Sequence, residues 1–385
     1  MITLMSCRYD TLKAVLLGFE KTGLQLIDSD GVQFFPSGIS DDIGLYYFVP
    51  KLVRCFGISL DQAIYIFFHG MVFTSLVLAL IGFFLLSKSW IFRAISSAGL
   101  FIFWVLACRG LTDVYLVQTA IVMAVIPLAL YFLKKNRVTI PFFLFIFFSG
   151  ISIGVSHYIR LHSSVGVLLF LCLGILFFLS AQWKKKVTLL AVLLAGILIP
   201  FLHFNSVLKE RRQFFGDTYE TFEPRHVFWH SIYAGLGFLD NKFGIKWDDS
   251  VIVKKVEESH PNAVYPTKAY EEVTKQEVLK FVQNNFSFVR LTLFAKLGVI
   301  FYYLLIFANI GLLLSFFYKK PWILEFMFWS AIAFNSLFGL LVMPFKGYLL
   351  GMIAFATVYG LVSIWYALEG GLLQDIGGIL KIKKR

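Results

Sequence analysis

Long uninterrupted apolar runs recur along this chain, and they constrain its fold more than any other feature. About nine runs approach the roughly 17 to 25 residues that a helix needs to cross a bilayer. They span residues 65–86, 91–108, 114–133, 140–156, 165–181, 187–204, 297–317, 322–343 and 348–368. Their spacing lacks the alternation of barrel strands. The sequence therefore predicts an all-α polytopic membrane protein, a bundle of about nine transmembrane helices with outer juxtamembrane helices and one long outer loop.

The composition excludes a water-soluble protein. Hydrophobic residues make up 58% of the 385 residues and charged residues only 15%, and the mean hydropathy is +0.77. A soluble fold does not keep that much apolar surface from water. The net charge of +12 would raise nucleic-acid binding in a soluble chain, but here most cations lie in short links between apolar runs. That placement is typical of membrane topology, so no nucleic-acid partner is expected.

The positions of lysine and arginine predict the orientation. Alternate links and the tail collect Lys88, Arg93, Lys134, Lys135, Arg137, Lys184, Lys185, Lys186, Lys319, Lys320, Lys381, Lys383, Lys384 and Arg385. The other short links contain Arg109, Arg160 and Lys346. By the positive-inside rule the first set is cytoplasmic. The expected location is a bacterial inner membrane, with the opposite end of the bundle facing the periplasm or cell exterior.

The predicted spans divide the chain into five parts. These are an outer segment with juxtamembrane helices (1–64), a six-helix block (65–204), the long outer loop (205–296), a three-helix block (297–368) and a basic cytoplasmic tail (369–385). A polar outer segment without a signal peptide is hard to translocate. We therefore expect a further span before Met1. The alternative is that residues 11–18 and 45–58 hold this segment at the membrane interface.

Acidic residues in the predicted outer segments are the candidates for chemistry. Asp41 and Asp42 form a pair before an aromatic segment, Asp10 precedes a short amphipathic helix, and Asp113 stands at the mouth of the third span, near Arg109. Carboxylates suit a general base for a hydroxyl, or ligands for a divalent cation such as Mg²⁺ or Mn²⁺. The structural alternative is helix capping for Asp10, Asp41 and Asp42, and a solvated ion pair for Asp113.

Cations in the same outer segments are candidates for binding phosphate. Arg160 is the preferred one, because a guanidinium forms a planar fork that matches phosphate oxygens; its alternative role is to reach the lipid headgroups. His226 and His230 have a spacing that zinc ligands use, but a third ligand is not evident, so packing or hydrogen bonding is the better interpretation.

Charged residues are missing from the centres of the predicted spans. The spans contain His69, Gln118, Asn309 and Asn335, and Glu325 lies near a cytoplasmic end. Ion-coupled carriers place charged residues near mid-bilayer, so this weighs against a proton- or sodium-driven carrier. A transporter or flippase for a lipid-linked envelope precursor, and a non-catalytic subunit, stay open beside an enzyme.

The layout resembles the integral-membrane glycosyltransferases of the GT-C fold, in particular bacterial relatives of the protein O-mannosyltransferases and the lipid A aminoarabinose transferase. Asp10 resembles the acid of their first outer loop, and Asp113 that of the second. Residues 228–249, and Arg160 with the following Ser163, Ser164 and Gly166, are similar to a bacterial branch of that superfamily. Two features depart from the pattern: neither Asp10 nor Asp113 is followed by Glu, and the expected first span is missing.

The resemblance implies an inverting sugar transferase that uses a polyprenyl-phosphate sugar as donor, with its tail among the membrane lipids. Its candidate catalytic acids are Asp10, Asp41, Asp42 and Asp113. Arg109, Arg160 or Lys296 would stabilise the leaving phosphate. The acceptor, which is a protein, a lipid or a glycan, would meet a pocket that includes His157, Trp229, His230, Tyr233 and Asp248. A divalent cation is the one cofactor that the acids suggest.

Overall fold

The computed structural model describes residues 6–38, 42–222, 228–265 and 267–372, most of which are helical. The helices are α1 (Ser6–Thr22), α2 (Ile43–Phe56), α3 (Leu60–Leu86), α4 (Trp90–Phe103), α5 (Leu116–Lys135), α6 (Ile140–Ile159), α7 (Val165–Leu173), α8 (Trp183–Phe215), α9 (Phe228–Gly235), α10 (Asp249–Ser259), α11 (Lys268–Asn284), α12 (Phe286–Phe317), α13 (Trp322–Leu341) and α14 (Leu350–Glu369). A π turn extends α4 (Trp104–Cys108) and another extends α7 (Gly174–Phe178), and 3-10 turns follow α8 (Gly216–Phe222) and α9 (Leu236–Phe238). The coarse prediction of an all-α polytopic membrane fold is thereby confirmed.

Eight helices within the described ranges are long and apolar enough to cross a membrane: α3, α4 with its π turn, α5, α6, α8, α12, α13 and α14. Each coincides with one of the predicted runs, so the chain is an integral membrane protein. The predicted run 165–181 forms a shorter apolar helix, Val165–Phe178. At about 1.5 Å per residue it rises roughly 21 Å, less than the roughly 30 Å of a hydrocarbon core.

Serine caps set where two of the spans begin. The Ser59 hydroxyl accepts the Gln62 N–H, and the Gln62 side chain accepts the Ser59 N–H, which completes a capping box at the start of α3. Ser89 accepts the Phe92 N–H at the start of α4. These bonds satisfy N–H groups that the first turn of a helix leaves unpaired. The capping box explains why α3 begins at Leu60, before the predicted start of its apolar run.

The segment before the first span contains more structure than predicted. Helix α1 already includes Ser6, so Asp10 lies inside the helix, and the prediction that it caps the helix is wrong. Gly23, Gly31, Pro36 and Gly38 predict a loop after α1, but the structure has an antiparallel hairpin there, β1 (Ile27–Ser29) and β2 (Phe34–Pro36). The aromatic residues 45–56 predict a helix that Pro50 interrupts; the helix is confirmed as α2, but it continues through Pro50.

The predicted long loop is largely helical. Helix α8 continues past Phe204 to Phe215, and α12 begins at Phe286, so both Asn205 and Lys296 lie within helices. Between them α9, α10 and α11 pack around a core of their own, which includes Tyr233, Ile252 and Tyr270. The spacing of Tyr270, Val273 and Val278 predicts a helix over residues 267–288, which is confirmed as α11, ending at Asn284.

Contacts between helix termini define the two ends of the bundle. At one end Lys346 Nζ donates to the Leu106 carbonyl at 2.8 Å. Helix α6 finishes at this end with Arg160, so we call it the Arg160 end. At the other end Lys134 Nζ lies 3.1 Å from Glu369 Oε1; this is the Lys134 end. Helix α14 runs between them through the centre and is buried along nearly its whole length.

Candidate functional site

Four charged side chains from four separate segments meet at the Arg160 end. Arg8 Nε lies 2.7 Å from Asp42 Oδ2, and Arg160 Nη1 lies 3.2 Å from Asp42 Oδ1. Arg8 Nη1 lies 3.4 Å from Asp113 Oδ1. We call Arg8, Asp42, Asp113 and Arg160 the ion cluster. Its two guanidinium groups and two carboxylates tie α1, the start of α2, the α4–α5 link and the end of α6 together.

The backbone at Asp42 turns its carboxylate away from the helix that it precedes. Asp42 is the N-cap residue of α2, but its φ is 62° and its side chain makes no capping hydrogen bond. An aspartate tolerates this left-handed conformation better than most residues. The Asp42 carbonyl accepts the N–H groups of Leu45 and Tyr46 at 2.9 and 3.3 Å. The Asp42 carboxylate therefore pairs with Arg8 and Arg160 and does not cap the helix.

Tyr115 is a shared platform for the two arginines. Arg160 Nη2 donates to the Tyr115 hydroxyl at 3.3 Å. The guanidinium carbons of Arg160 and Arg8 lie 4.8 and 5.8 Å from the centre of the Tyr115 ring. Cation–π contacts strengthen when water is excluded, and Tyr115 is buried. The tyrosine therefore helps to hold both cations in one orientation.

The two carboxylates differ in their access to water. The side chain of Asp42 is 3% exposed and that of Asp113 is 15% exposed. Burial raises the pKa of Asp113, and the nearby Arg8 offsets part of that rise. For Arg8, burial opposes the charge, but Asp42 and Asp113 outweigh it and raise its pKa. Asp113 is thus the carboxylate of the cluster that water reaches more easily.

A cavity of about 410 Å³ opens beside Arg160. Its apolar wall consists of Leu161, Phe228, Phe334, Leu337, Phe338, Leu341 and Val342. Its polar positions are Tyr115, Gln118, Arg160, His162, Asn335 and Tyr348. Arg160, which belongs to the ion cluster, and Tyr115, which contacts it, both line this cavity. A positive charge fixed at the edge of a mostly apolar cavity suits an amphiphile with an anionic group.

The predicted phosphate-binding residues lie in three different settings. Arg160 lines the cavity, whereas Arg109 is exposed in the α4–α5 link. Lys296 is 1% exposed, and its Nζ donates to the carbonyls of Val342 at 2.8 Å and Leu341 at 3.5 Å. These carbonyls stand at the end of α13, where a cation is favourable. Lys296 therefore fastens α12 to the end of α13, next to the cavity wall.

The predicted catalytic acids do not all lie at one place in the structure. Asp42 and Asp113 lie in the ion cluster, whereas Asp10 is exposed on α1. Asp41 lies outside the described residues. Within the described ranges, no group of three or more His, Cys, Asp or Glu side chains is arranged to hold a metal ion.

The residues predicted for an acceptor pocket mostly build the α9–α11 unit. His230 is buried; its Nδ1 lies 2.7 Å from the Tyr270 hydroxyl and its Nε2 lies 3.1 Å from Asp249 Oδ1. The Trp229 N–H donates to Glu271 Oε1 at 3.0 Å. Tyr233 is buried in the core of the unit.

Asp248 and His157 also lie outside the cavity wall. Asp248 caps α10 and accepts the Ser250 N–H at 2.9 Å, and its hydrogen bonds with Ser250 lower its pKa. His157, on α6, has its ring centre 6.1 Å from that of His162. Of the wall residues, Phe228 is the one that α9 contributes.

Several site residues were missed from the sequence. Arg8, Tyr115 and Tyr348 are not among the candidates that the sequence predicts, because nothing next to them in the chain distinguishes them from other arginines and tyrosines. Gln118 and Asn335 were noted as polar residues in spans, but they carried no weight because they are uncharged. A polar side chain inside a span is itself a signal of a functional cavity, and that signal would have identified both amides.

Comparisons of this chain with protein-family models, with curated proteins and with solved structures gave no match.

Proposed function

We propose that this chain is a membrane glycosyltransferase that moves a sugar from a polyprenyl-phosphate donor to a hydroxyl of a protein, lipid or glycan. One observation carries the proposal: Arg160 is held by Asp42 and Tyr115 at the edge of a cavity with a mostly apolar wall. A lipid-linked sugar phosphate is an amphiphile of that kind, with a branched apolar tail, one phosphate and a polar sugar.

The orientation of the site follows from the charges at the two ends. The Lys134 end carries Lys134, Lys135 and the nearby lysines of the α12–α13 link, whereas the short links at the Arg160 end carry few cations. By the positive-inside rule we assign the Lys134 end to the cytoplasm. The ion cluster and the α9–α11 unit then face the periplasm or cell exterior of a bacterial inner membrane, where lipid-linked sugars are used.

We also propose that the short helix 165–178 is a ninth crossing. It starts beside Arg160, and its far end reaches the Lys134 end: the Ser180 N–H donates to Asn136 Oδ1 at 2.7 Å, and Lys186 Nζ donates to the Leu176 carbonyl at 2.7 Å. The chain thus passes between the two ends of the bundle at this helix. A ninth crossing keeps the later cationic links on the cytoplasmic side.

The proposed reaction is a single displacement at the anomeric carbon. The acceptor oxygen forms a bond to that carbon while the bond from carbon to the phosphate oxygen breaks, and the phosphate leaves with the bonding electron pair. Arg160 stabilises the charge that develops on the leaving phosphate. Asp113 takes the proton of the acceptor hydroxyl, since it is the more accessible carboxylate of the cluster. Asp42 is a positioning residue for Arg160.

The test is sugar transfer by the purified full-length chain in lipid nanodiscs. Polyprenyl-phosphate mannose, glucose and arabinose are supplied with a membrane extract as the source of acceptors, and release of polyprenyl phosphate is measured. We expect Asp113→Asn to lower the rate about 10²- to 10⁴-fold, the usual contribution of a general base. The matched control Asp10→Asn changes an exposed carboxylate and should keep the rate near that of the unmodified chain.

Two results would count against this assignment. An Asp113→Asn variant that folds and transfers sugar at the unmodified rate removes Asp113 from the chemistry. Movement of the donor between leaflets by the unmodified chain, without release of polyprenyl phosphate from any donor, favours a flippase over a transferase.

A further inference from the structure

Two side-chain amides, those of Gln118 and Asn335, line the same cavity as Arg160. Gln118 is in the first turn of α5, and Asn335 is on α13, six residues before its last residue, Leu341. At about 1.5 Å per residue, Asn335 lies roughly 9 Å below the end of its helix. Building on the proposed sugar transfer, we infer that Gln118 and Asn335 bind the hydroxyl groups of the donor sugar and make the cavity selective for an uncharged sugar.

Asn335 is held in a fixed orientation. Its Nδ2 donates to the Ala331 carbonyl at 2.8 Å. A Cβ atom at Gly166 would lie 2.0 Å from Asn335 Nδ2, and one at Gly351 would lie 2.3 Å from Asn335 Oδ1. Two other helices therefore need glycine where they meet this amide. A side chain held in this way binds a ligand with little further loss of conformational entropy.

The two amides keep complementary groups for a ligand. Gln118 Oε1 accepts the Gly351 N–H at 3.1 Å, which leaves Gln118 Nε2 as a donor. Asn335 Nδ2 is used by Ala331, which leaves Asn335 Oδ1 as an acceptor. Across the part of the chain that the structure describes, neither Gln118 Nε2 nor Asn335 Oδ1 has a protein partner, and neither is among the fully buried unpaired atoms. One donor and one acceptor match sugar hydroxyls, which both donate and accept.

The charges around the cavity decide which sugars fit. Among the described lining residues, Arg160 is the one permanently charged side chain, and the wall contains no carboxylate. An amino sugar would place its ammonium group against two neutral amides, while the carboxylates of the ion cluster, Asp42 and Asp113, are already paired with arginines. A uronic acid would place its carboxylate against neutral amides, where the loss of hydration is costly. An uncharged hexose or pentose keeps its phosphate at Arg160 and its hydroxyls at the amides.

The experiment measures binding to the full-length chain in nanodiscs, without turnover. The probes are farnesyl phosphate, farnesyl-phosphate glucose and farnesyl-phosphate 4-amino-4-deoxyarabinose. We expect the unmodified chain to bind the glucose probe at least about tenfold more tightly than farnesyl phosphate, and more tightly than the amino-sugar probe. Asn335→Leu and Gln118→Met should each weaken the glucose probe about three- to tenfold, the effect of one neutral hydrogen bond. Both should leave farnesyl phosphate unchanged.

Two further variants separate binding from folding. The control Ser336→Ala changes the residue next to Asn335. The Ser336 hydroxyl donates to the Ile332 carbonyl, so its loss should leave the affinity for each probe unchanged. Asn335→Asp keeps the size of the side chain and adds a negative charge, so it should shift the preference toward the amino-sugar probe. That shift tests the inference even if Asn335→Leu does not fold.

Several outcomes would overturn the inference. Equal weakening of all three probes by the folded Asn335→Leu and Gln118→Met variants would mean that the amides only support the structure. A preference of the unmodified chain for the amino-sugar probe would also overturn the inference, because it would show that the cavity does not select an uncharged sugar. Discrimination for glucose without any sugar transfer would leave the inference standing and remove the proposed function, whereas binding of none of the probes would remove both.

Discussion

Asp42 offers the sharpest test of the ion cluster, because its carboxylate accepts from two arginines while almost fully buried. The change to make is Asp42→Asn. Asparagine tolerates a φ of 62°, so this substitution removes the charge without straining the backbone. Alanine at the same position would add a backbone penalty to the loss of charge.

The expected loss follows from the two arginine contacts. Asparagine keeps one acceptor oxygen for one arginine but places its NH2 group, which cannot accept, against the N–H of the other. One hydrogen bond to a charged group, worth about 1.5–3 kcal/mol, is therefore lost. The variant also removes a carboxylate from two guanidinium side chains that are only 11% and 12% exposed. Removing one partner from a buried ion pair costs about 3–5 kcal/mol. The free energy of unfolding should therefore fall by about 2–5 kcal/mol.

Glu369→Gln is the matched control. It neutralises an ion pair with Lys134 whose two side chains are 44% and 49% exposed, and exposed pairs contribute about 1 kcal/mol or less. Both variants are unfolded by titration with SDS in mixed micelles, and the helix content is followed by circular dichroism. Adding Arg160→Met to Asp42→Asn should cost less than the two single losses together, because these residues are paired.

A loss below about 1 kcal/mol for Asp42→Asn, equal to that of Glu369→Gln, would refute the reasoning. It would mean that water reaches the arginines and that the cluster is not a buried network. Arg160 would then lack the fixed position on which the proposed phosphate contact depends.

Two further predictions concern parts of the chain outside the ion cluster. Burial raises the pKa of Asp28 to about 6, so its protonated form is favoured in the folded state; stability should fall by up to about 3 kcal/mol as the pH rises from about 4 to 6, and Asp28→Asn should remove this dependence in the same SDS titration. Gly235→Ala should lower the free energy of unfolding by about 1–3 kcal/mol, because a Cβ there would lie 2.4 Å from the Val342 carbonyl oxygen. The control Gly298→Ala meets nothing within 4 Å and should be neutral or stabilising, since alanine favours a helix. A pH profile that Asp28→Asn leaves unchanged, or equal effects of the two alanines, would contradict them.

The membrane-spanning part of the fold could be predicted because it depends on local composition. A run of apolar residues must form its hydrogen bonds within itself when it enters lipid, so hydropathy alone located the eight long helices. It did not locate their ends. Helix α8 continues beyond Phe204 through Lys209 and Arg211, because charged residues end an apolar run but do not stop a helix.

The site could be predicted only in part, because it depends on which distant residues meet. Asp42, Asp113 and Arg160 were candidates from their residue types and their predicted side of the membrane. Nothing local showed that Arg8 completes the cluster or that Tyr115 lies under both guanidinium groups. The alternative that Asp42 caps a helix is confirmed for its position, since Asp42 is the N-cap residue of α2, but its side chain makes no capping hydrogen bond. A cap position in the sequence does not reveal φ.

The ion cluster contains two cations and two anions, and this balance of charge affects the proposed phosphate contact. Arg160 shares Asp42 with Arg8, so its charge is partly balanced before any ligand arrives. A carboxylate partner fixes the orientation of an arginine and offsets part of the free energy of its desolvation. The paired arginine attracts a free anion less strongly than an isolated arginine does. Tight binding then requires the apolar wall of the cavity to contribute, through Phe334, Phe338 and Leu341. The arrangement thus favours a lipid-linked phosphate over inorganic phosphate, because only the lipid-linked form gains from both.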